Sequence, residues 1–509
     1  MDTLNYLMSN KGLIFVRNSS GLTKKVSLLD AVMLNIGNMS AGLVLFTAVT
    51  PLDQPGALLW VTSIIGFIFA IPQLIVYTLL NKEIQRTGGD YIWISRILNG
   101  PLGAVMAMIL MFQSAAFFAL TAFFFSSAVQ SVLQLIGEIN SIPSLLSLSN
   151  IIVSPIYSYI IGAIAFTVFI AINIFKAKWG YSVITSLGII SVSITILAFI
   201  ILVIHMGDFK TAIIPFLKAT KSLPPSSYYV PGFSWASTLA MLPVLALFAY
   251  PWMQAGPAVS AEFKSSKIVN YNILLALVFT GIIITLGLFI LYYEGGYCFT
   301  TYEFINNGYV YNFWSVAIGL SNNYILEWIL GIGLMSWELL VLSYGVLVFS
   351  RYIFALAFDR VLPEIFTKLN QGGSPVYTHL FDLILTLLFL ILPVISINGA
   401  LALYGTTFIG ATYFLIVSIA GVKYGLTKNK ILLLVASIIS TGYFAYLDYQ
   451  ASTNPLFGFM ESNGSINVIT LIFAIILIIG GVLTYIIAYL RNKARGIDIN
   501  MVYKEIPPE

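Results

Sequence analysis

The chain has 509 residues, 59% of them hydrophobic and only 9% charged, against about 25% charged in an ordinary soluble domain. So little charge cannot cover a soluble protein of this size, and 36 Phe, 29 Tyr and 8 Trp give too much apolar area for a disordered chain. A net charge of +4 argues against a nucleic-acid partner, and a single cysteine, Cys298, leaves no intramolecular disulfide and no Cys-rich metal or cofactor centre.

A bilayer core of about 30 Å takes about 20 apolar residues per helix, and twelve such spans can be drawn. A polar segment, 1–27, precedes the first, Leu28 to Thr50, which reads as a retained helix because no small-residue cleavage site follows it. Ala57 to Leu80, Pro101 to Ser127, Ile156 to Phe175 and Tyr181 to Ile204 complete a group of five over 28–204. After a loop, 205–234, a second group over 235–421 holds Trp235 to Val259, Tyr271 to Tyr292, Tyr324 to Phe349, Leu380 to Ile395 and Gly399 to Gly421. Ile431 to Leu447 and Val468 to Leu490 lie within 422–490, and a basic tail, 491–509, follows. The fold class is therefore all-α, a polytopic membrane protein in contact with lipid.

Of the 24 Lys and Arg, all but Lys210, Lys218 and Lys221 fall in the N-terminal segment, the even-numbered loops and the tail. By the positive-inside rule both termini are expected in the cytoplasm, with the chain in the cell membrane.

Two spans are interrupted. Span one reads Asn35-Ile-Gly37-Asn38-Met-Ser40-Ala41-Gly42 at its middle, and span six reads Phe248-Ala249-Tyr250-Pro251-Trp252-Met253-Gln254-Ala255-Gly256-Pro257. Pro251 and Pro257 lack an N–H, so the carbonyls of Leu247 and Met253 lose their helical partners. Either span alone reads equally well as a packing feature or a proline kink. Together, in antiparallel spans that each open a group of five, they point to an inverted-repeat transporter with its site at the midplane. Free amides at Ser40, Ala41 and Gly42 would suit a carboxylate. Carbonyls at Phe248, Ala249 and Tyr250 would suit an ammonium, and a site with both complements an amino acid.

Four stretches then resemble the amino acid/polyamine/organocation (APC) transporters: Ser40-Ala41-Gly42; Gln85-Arg-Thr-Gly88-Gly89-Asp90-Tyr91 leading to Gly100-Pro101-Leu102-Gly103; the span-six break ending in Glu262-Phe-Lys264; and Ser350-Arg351-Tyr352 through Phe358-Asp359-Arg360-Val-Leu362-Pro363. The resemblance implies two inverted repeats of five helices plus two more, alternating access, and an amino acid or related amine as substrate. It implies the carboxylate at Ser40, Ala41 and Gly42, next to Gly37, the amine near Phe248 and Tyr250, and a gating or pocket side chain at Trp252. Ala41, Pro251 and the missing Asn-Pro after Glu262-Phe-Lys264 depart from the family pattern and bear on the shape of the pocket.

Glu338 lies twelve residues from Leu326, roughly 18 Å along span eight, so it is a midplane acid. Gly331 and Gly345, seven residues to either side, share its face and suit close helix packing. It reads as a proton carrier, as a charge facing substrate or a coupling ion, or as a protonated structural acid. Ser343 is a candidate sodium-binding hydroxyl or a back-bond to its own helix. Gln113 in span three faces either the pocket or a neighbouring helix.

Asp30 reads as a helix cap or a gate ion pair, His205 and His379 as interface residues, and Asp382 as a local partner of His379. Transport is expected to be coupled to protons or sodium or to run by exchange, with protons through Glu338 favoured over sodium, and an accessory subunit is not expected. An APC-type carrier of polyamines or another organic cation is the alternative. A channel is disfavoured because twelve spans in one chain with paired breaks fit a carrier better, and an intramembrane enzyme because no His or Cys partner stands with Glu338 at the midplane.

Overall fold

The computed structural model describes residues 15–508 apart from Asn18, Pro51, Leu52 and the side chains of Thr47, Ala48, Ala246 and Leu247. Lys11, part of the basic N-terminal segment, lies outside the described residues. Among the described residues eleven helices are long and apolar enough to cross a membrane. They correspond to every expected span but the sixth.

In chain order the helices that carry the bundle, shorter ones such as Pro143–Ile152, Tyr297–Asn307, Phe313–Leu320 and Ile397–Gly405 aside, are α1 (Leu28–Met39), α2 (Leu59–Glu83), α3 (Gly100–Ile139), α4 (Pro155–Phe175), α5 (Ala177–Ile204) and α6 (Leu242–Phe248). They continue as α7 (Lys267–Gly295), α8 (Tyr324–Phe358), α9 (Val376–Ile395), α10 (Phe408–Thr427), α11 (Ile431–Thr453) and α12 (Val468–Ala494). Only isolated bridges, Val26 with Phe263 and Met460 with Ile466, stand in for strands among the described residues.

Two expectations are corrected. The sixth span is not one helix but three pieces, Trp235–Ala240, α6 and Ala255–Ala258, because its prolines and glycine interrupt the hydrogen-bond ladder. Helices α3 and α8 run to 40 and 35 residues, well past the limits read from hydropathy. Apolarity marks where a helix is in lipid, whereas its polar ends continue until a cap stops it. Asn99, Asn323 and Asn467 supply the N-terminal caps of α3, α8 and α12, each side chain accepting a first-turn amide.

Burial sorts the helices. Of the most apolar window of α8, 94% is buried in protein, against 28% for α12. Helix α12 turns Ile472, Ile476, Ile479 and Ile487 outward, as a lipid-facing helix does. Helix α8 is therefore the central post, with α1 and α3 beside it.

At the end of the bundle that holds both described termini, the turn Gly88-Gly89 delivers Asp90 into the protein. Gly89 has a φ of +43°, and a Cβ there would lie 2.8 Å from the Pro257 backbone, so only glycine fits. Asp90 is fully buried and accepts hydroxyl donors from Tyr77 of α2 (2.8 Å), Tyr352 of α8 (2.5 Å) and Tyr413 of α10 (2.9 Å). Burial pushes its carboxyl up to about 6, although the three hydroxyls oppose the shift.

The folded-state value lies above the unfolded one, so the cost of burying this charge is fully present above pH 6 and is relieved as pH falls toward 4. The melting temperature of the wild type relative to Asp90→Asn is therefore expected to rise on acidification through that window. A flat or falling difference between pH 7 and 4.5, measured by thermal unfolding in detergent, would show that Asp90 does not carry it.

Candidate functional site

Helix α1 ends at Met39 because Ser40 adopts a left-handed backbone, φ 50° and ψ 41°, with its N–H turned back to the carbonyls of Ile36 and Gly37. A new turn, Ala41–Leu43, starts beyond it and widens into π-helical turns over Val44–Ala48. Ala41 and Gly42 thus open a second half-helix, where first-turn amides have no partner within the helix. The Ser40 hydroxyl folds onto the Gly37 carbonyl at 3.3 Å.

The second interruption begins where α6 stops at Phe248. Ala249 leaves the helical region, φ −126° and ψ −77°, and helix resumes only at Ala255. Amide side chains take over from the missing ladder. The Gln73 amide donates to the Pro251 carbonyl (2.8 Å), and the Gly256 N–H donates to Asn35 Oδ1 (2.9 Å). Asn35 Nδ2 donates to Asn272 Oδ1 (2.9 Å), and Asn38 Nδ2 to Gln254 Oε1 (3.1 Å). The asparagines of the first break therefore tie it directly to the second.

A narrow cavity of about 10 Å³ lies at this junction, between α1, α3, the span-six break and α8, with room for about one water. Asn38, Gln113, Ser114, Trp252 and Gln254 contribute to its walls, with aromatic rings completing them. Trp252 stacks on Phe117, ring centres 6.1 Å apart and planes within 11°. Gln113 is 1% exposed, and its Oε1 meets no hydrogen-bond donor among the described residues.

Of the residues singled out in the sequence, Trp252 and Gln113 line this cavity, and Gly37, Ser40, Ala41, Gly42, Phe248, Ala249, Tyr250, Glu338 and Ser343 are not among its walls. Gly37 packs on Tyr344 and Leu340, and Ala41 is fully buried. Gly42 lies against the Trp337 indole, which donates to Thr195 at 2.9 Å. Phe248 stacks on Tyr404 at 4.3 Å. The Tyr250 hydroxyl is 2.5 Å from Ser63 of α2, and Ser63 in turn is 2.8 Å from Thr285 of α7. The Phe248 and Tyr250 side chains therefore bind neighbouring helices, and only their backbone belongs to the break.

Glu338 is fully buried, and neither carboxyl oxygen has a hydrogen-bond partner among the described residues. Gly331 and Gly345 meet Val132 and Phe118 of α3, so the shared face is turned to that helix. The Ser343 hydroxyl bonds back to the Leu340 carbonyl at 2.9 Å. Asp30 caps α1 by accepting the Ser27 N–H (3.0 Å) and also accepts the Thr185 hydroxyl (2.5 Å). The His379 and Asp382 pair does not form. Both ring nitrogens of His379 lack partners among the described residues, and Asp382 accepts Thr386 at 3.1 Å, its i+4 neighbour.

Sequence reasoning missed a buried ion cluster. Arg351, fully buried, donates through Nε and Nη2 to the two oxygens of Glu262 at 2.6 and 3.2 Å, and Lys25 lies 3.3 Å from Glu262. Burial alone would raise the Glu262 carboxyl, but Arg351 and Lys25 hold it below its ordinary value. The available signal was that Lys25, Glu262 and Arg351 each stand at the same end of an apolar span. Asp359 accepts Tyr91 (2.6 Å) and both Nη groups of Arg96 (2.5 and 2.8 Å). The motif stretches around Asp90, Glu262 and Arg351 thus converge on one end of the bundle.

A family model described as amino acid permease matches residues 26–480, from just before α1 into α12. Among curated proteins none matches the chain.

Proposed function

The chain belongs to the amino acid permease family, and we propose that it is a secondary carrier moving an amino acid across the cell membrane by alternating access. The observation that carries this reading is the pair of helix interruptions tied by Asn38 to Gln254 and by Asn35 to Gly256, with a buried cavity at their junction. Broken helices at that depth are tolerated where they border a cavity or protein. They offer an amide end to a carboxylate and a carbonyl end to an ammonium.

The substrate carboxylate sits at the amides opening at Ala41 and Gly42, and the ammonium at the carbonyls of Phe248, Ala249 and Tyr250. With the basic loops cytoplasmic, the Lys25–Glu262–Arg351 cluster is a lock on the cytoplasmic side, and the cavity widens when either side opens.

Glu338 is the coupling group. An acid in a central helix without a partner among the described residues is costly when charged, which favours a role in taking up and releasing a proton. Purified protein in liposomes is expected to accumulate a labelled amino acid when a proton gradient, imposed separately from a sodium gradient, is applied. Glu338→Gln is expected to abolish the response to the proton gradient while leaving counterflow exchange. Normal uptake by the variant with unchanged pH dependence would sink the proton role, and failure of every amino acid to accumulate, exchange or compete would sink the carrier reading.

A further inference from the structure

Resting on the carrier reading above, we propose that this permease selects an uncharged amino acid whose side chain carries an N–H or O–H donor, and that Gln113 reads that donor. All twelve residues lining the cavity are uncharged. A cationic or anionic side chain would therefore enter at membrane depth without a counter-ion, which is heavily penalised. That sets the site apart from one built for polyamines.

Among the polar groups lining the cavity, several are already engaged. Asn38 and Gln254 are tied to each other across the two interruptions at 3.1 Å. Tyr352 has its hydroxyl proton committed to Asp90 at 2.5 Å. Gln113 differs: its side chain is 1% exposed and its Oε1 accepts nothing among the described residues. A buried carbonyl oxygen left without a donor is unfavourable, and a ligand N–H or O–H placed against it removes that cost.

An aliphatic side chain would bury the same oxygen and leave it unsatisfied. Sites built around a hydrogen bond discriminate strongly against analogues that lack it, whereas purely apolar pockets discriminate weakly. The neighbouring walls are flat: Trp252 stacks on Phe117 with their planes within 11°. Glutamine and asparagine, whose carboxamides carry N–H donors, represent the class, with serine as a hydroxyl member.

The test is uptake into proteoliposomes of labelled glutamine and labelled leucine, with competition by serine, valine, lysine, glutamate and putrescine. Wild-type kcat/KM for glutamine is expected to exceed that for leucine by on the order of 100-fold, with no competition from lysine, glutamate or putrescine. Gln113→Leu is expected to reduce the glutamine value at least about tenfold more than the leucine value, and Gln113→Asn to restore part of the preference.

Equal wild-type handling of leucine and glutamine, or transport of a charged side chain, would overturn the proposal while leaving the carrier reading intact. So would a Gln113→Leu effect that is the same for every amino acid, because Gln113 would then serve the shared α-amino group. Absence of transport for all amino acids would instead defeat the carrier reading. The wild-type ranking needs no variant, so misfolding of Gln113→Leu cannot shield the proposal.

Discussion

A Glu262→Gln carrier is expected to lose most of its uptake and to unfold well below the wild-type temperature. The variant keeps the shape of the side chain but removes the charge facing Arg351, which is fully buried and bonded to both Glu262 oxygens. Breaking one side of a buried ion pair costs about 3–5 kcal/mol, because the remaining buried charge is left uncompensated, and a neutral hydroxyl such as that of Ser350, 2.9 Å from Arg351 Nη1, does not replace the lost carboxylate. The same change frees Lys25, whose bond to Glu262 fastens the segment before α1 to the segment after the second break.

Because the backbone of that segment is also held, with the Lys25 and Val26 amides both 2.9 Å from the Glu262 carbonyl, the lock loosens rather than detaches. Melting in detergent measures the stability term. Opening is measured by thiol labelling at Val348→Cys, a cavity-lining position, in a Cys298→Ser background that removes the single native cysteine. Faster labelling from the side of the termini is expected with Glu262→Gln, and Glu262→Asp should recover part of the loss. Wild-type melting and labelling in the Gln variant would refute the lock.

Gly42→Ala should reduce uptake to under about a tenth of wild type, through overpacking rather than loss of chemistry. A methyl on Gly42 would interpenetrate the Trp337 indole, which is fully buried and anchored to Thr195 at 2.9 Å. The ring has nowhere to turn, so the first turn of the second half-helix must move, and with it the amides proposed to hold the substrate carboxylate. Gly207→Ala and Gly442→Ala serve as controls, since a Cβ at either meets nothing within 4 Å. A space-restoring partner, Trp337→Gly, removes the Cβ and Cγ that a methyl on Gly42 would meet and should return part of the uptake to Gly42→Ala. Uptake at the control level in the single variant would show that the turn does not form part of the transport site.

Most spans were legible because an uncharged apolar run of bilayer length is stable chiefly as a helix in lipid, and the two breaks were legible because glycine, proline and asparagine interrupt those runs visibly. Helix ends were not. Helix α8 continues to Phe358 through Ser350 and Arg351, polar residues that hydropathy assigns to water but that the protein buries. The site was half legible. Gln113 and Trp252 face the cavity as the sequence allowed, whereas Phe248 and Tyr250 turn their rings to Tyr404 and Ser63. Which way a side chain leaves an irregular backbone follows from φ and ψ that no local pattern specifies. Asp90 stood in a recognised stretch, yet its three tyrosine donors come from positions 77, 352 and 413.

By itself the sequence determined that this chain is a polytopic helical membrane protein of the permease type, and where two of its helices must break. Those properties depend on composition and local chemistry: lipid demands long apolar helices, and proline and glycine end a ladder wherever they fall. Only the tertiary structure decided that Asn38 would reach Gln254, that Glu262 would neutralise Arg351, and that Gln113, in the cavity wall, would keep an acceptor unmet among the described residues. Each depends on residues scores or hundreds of positions apart, and a buried polar group takes its meaning from the partner that packing brings to it.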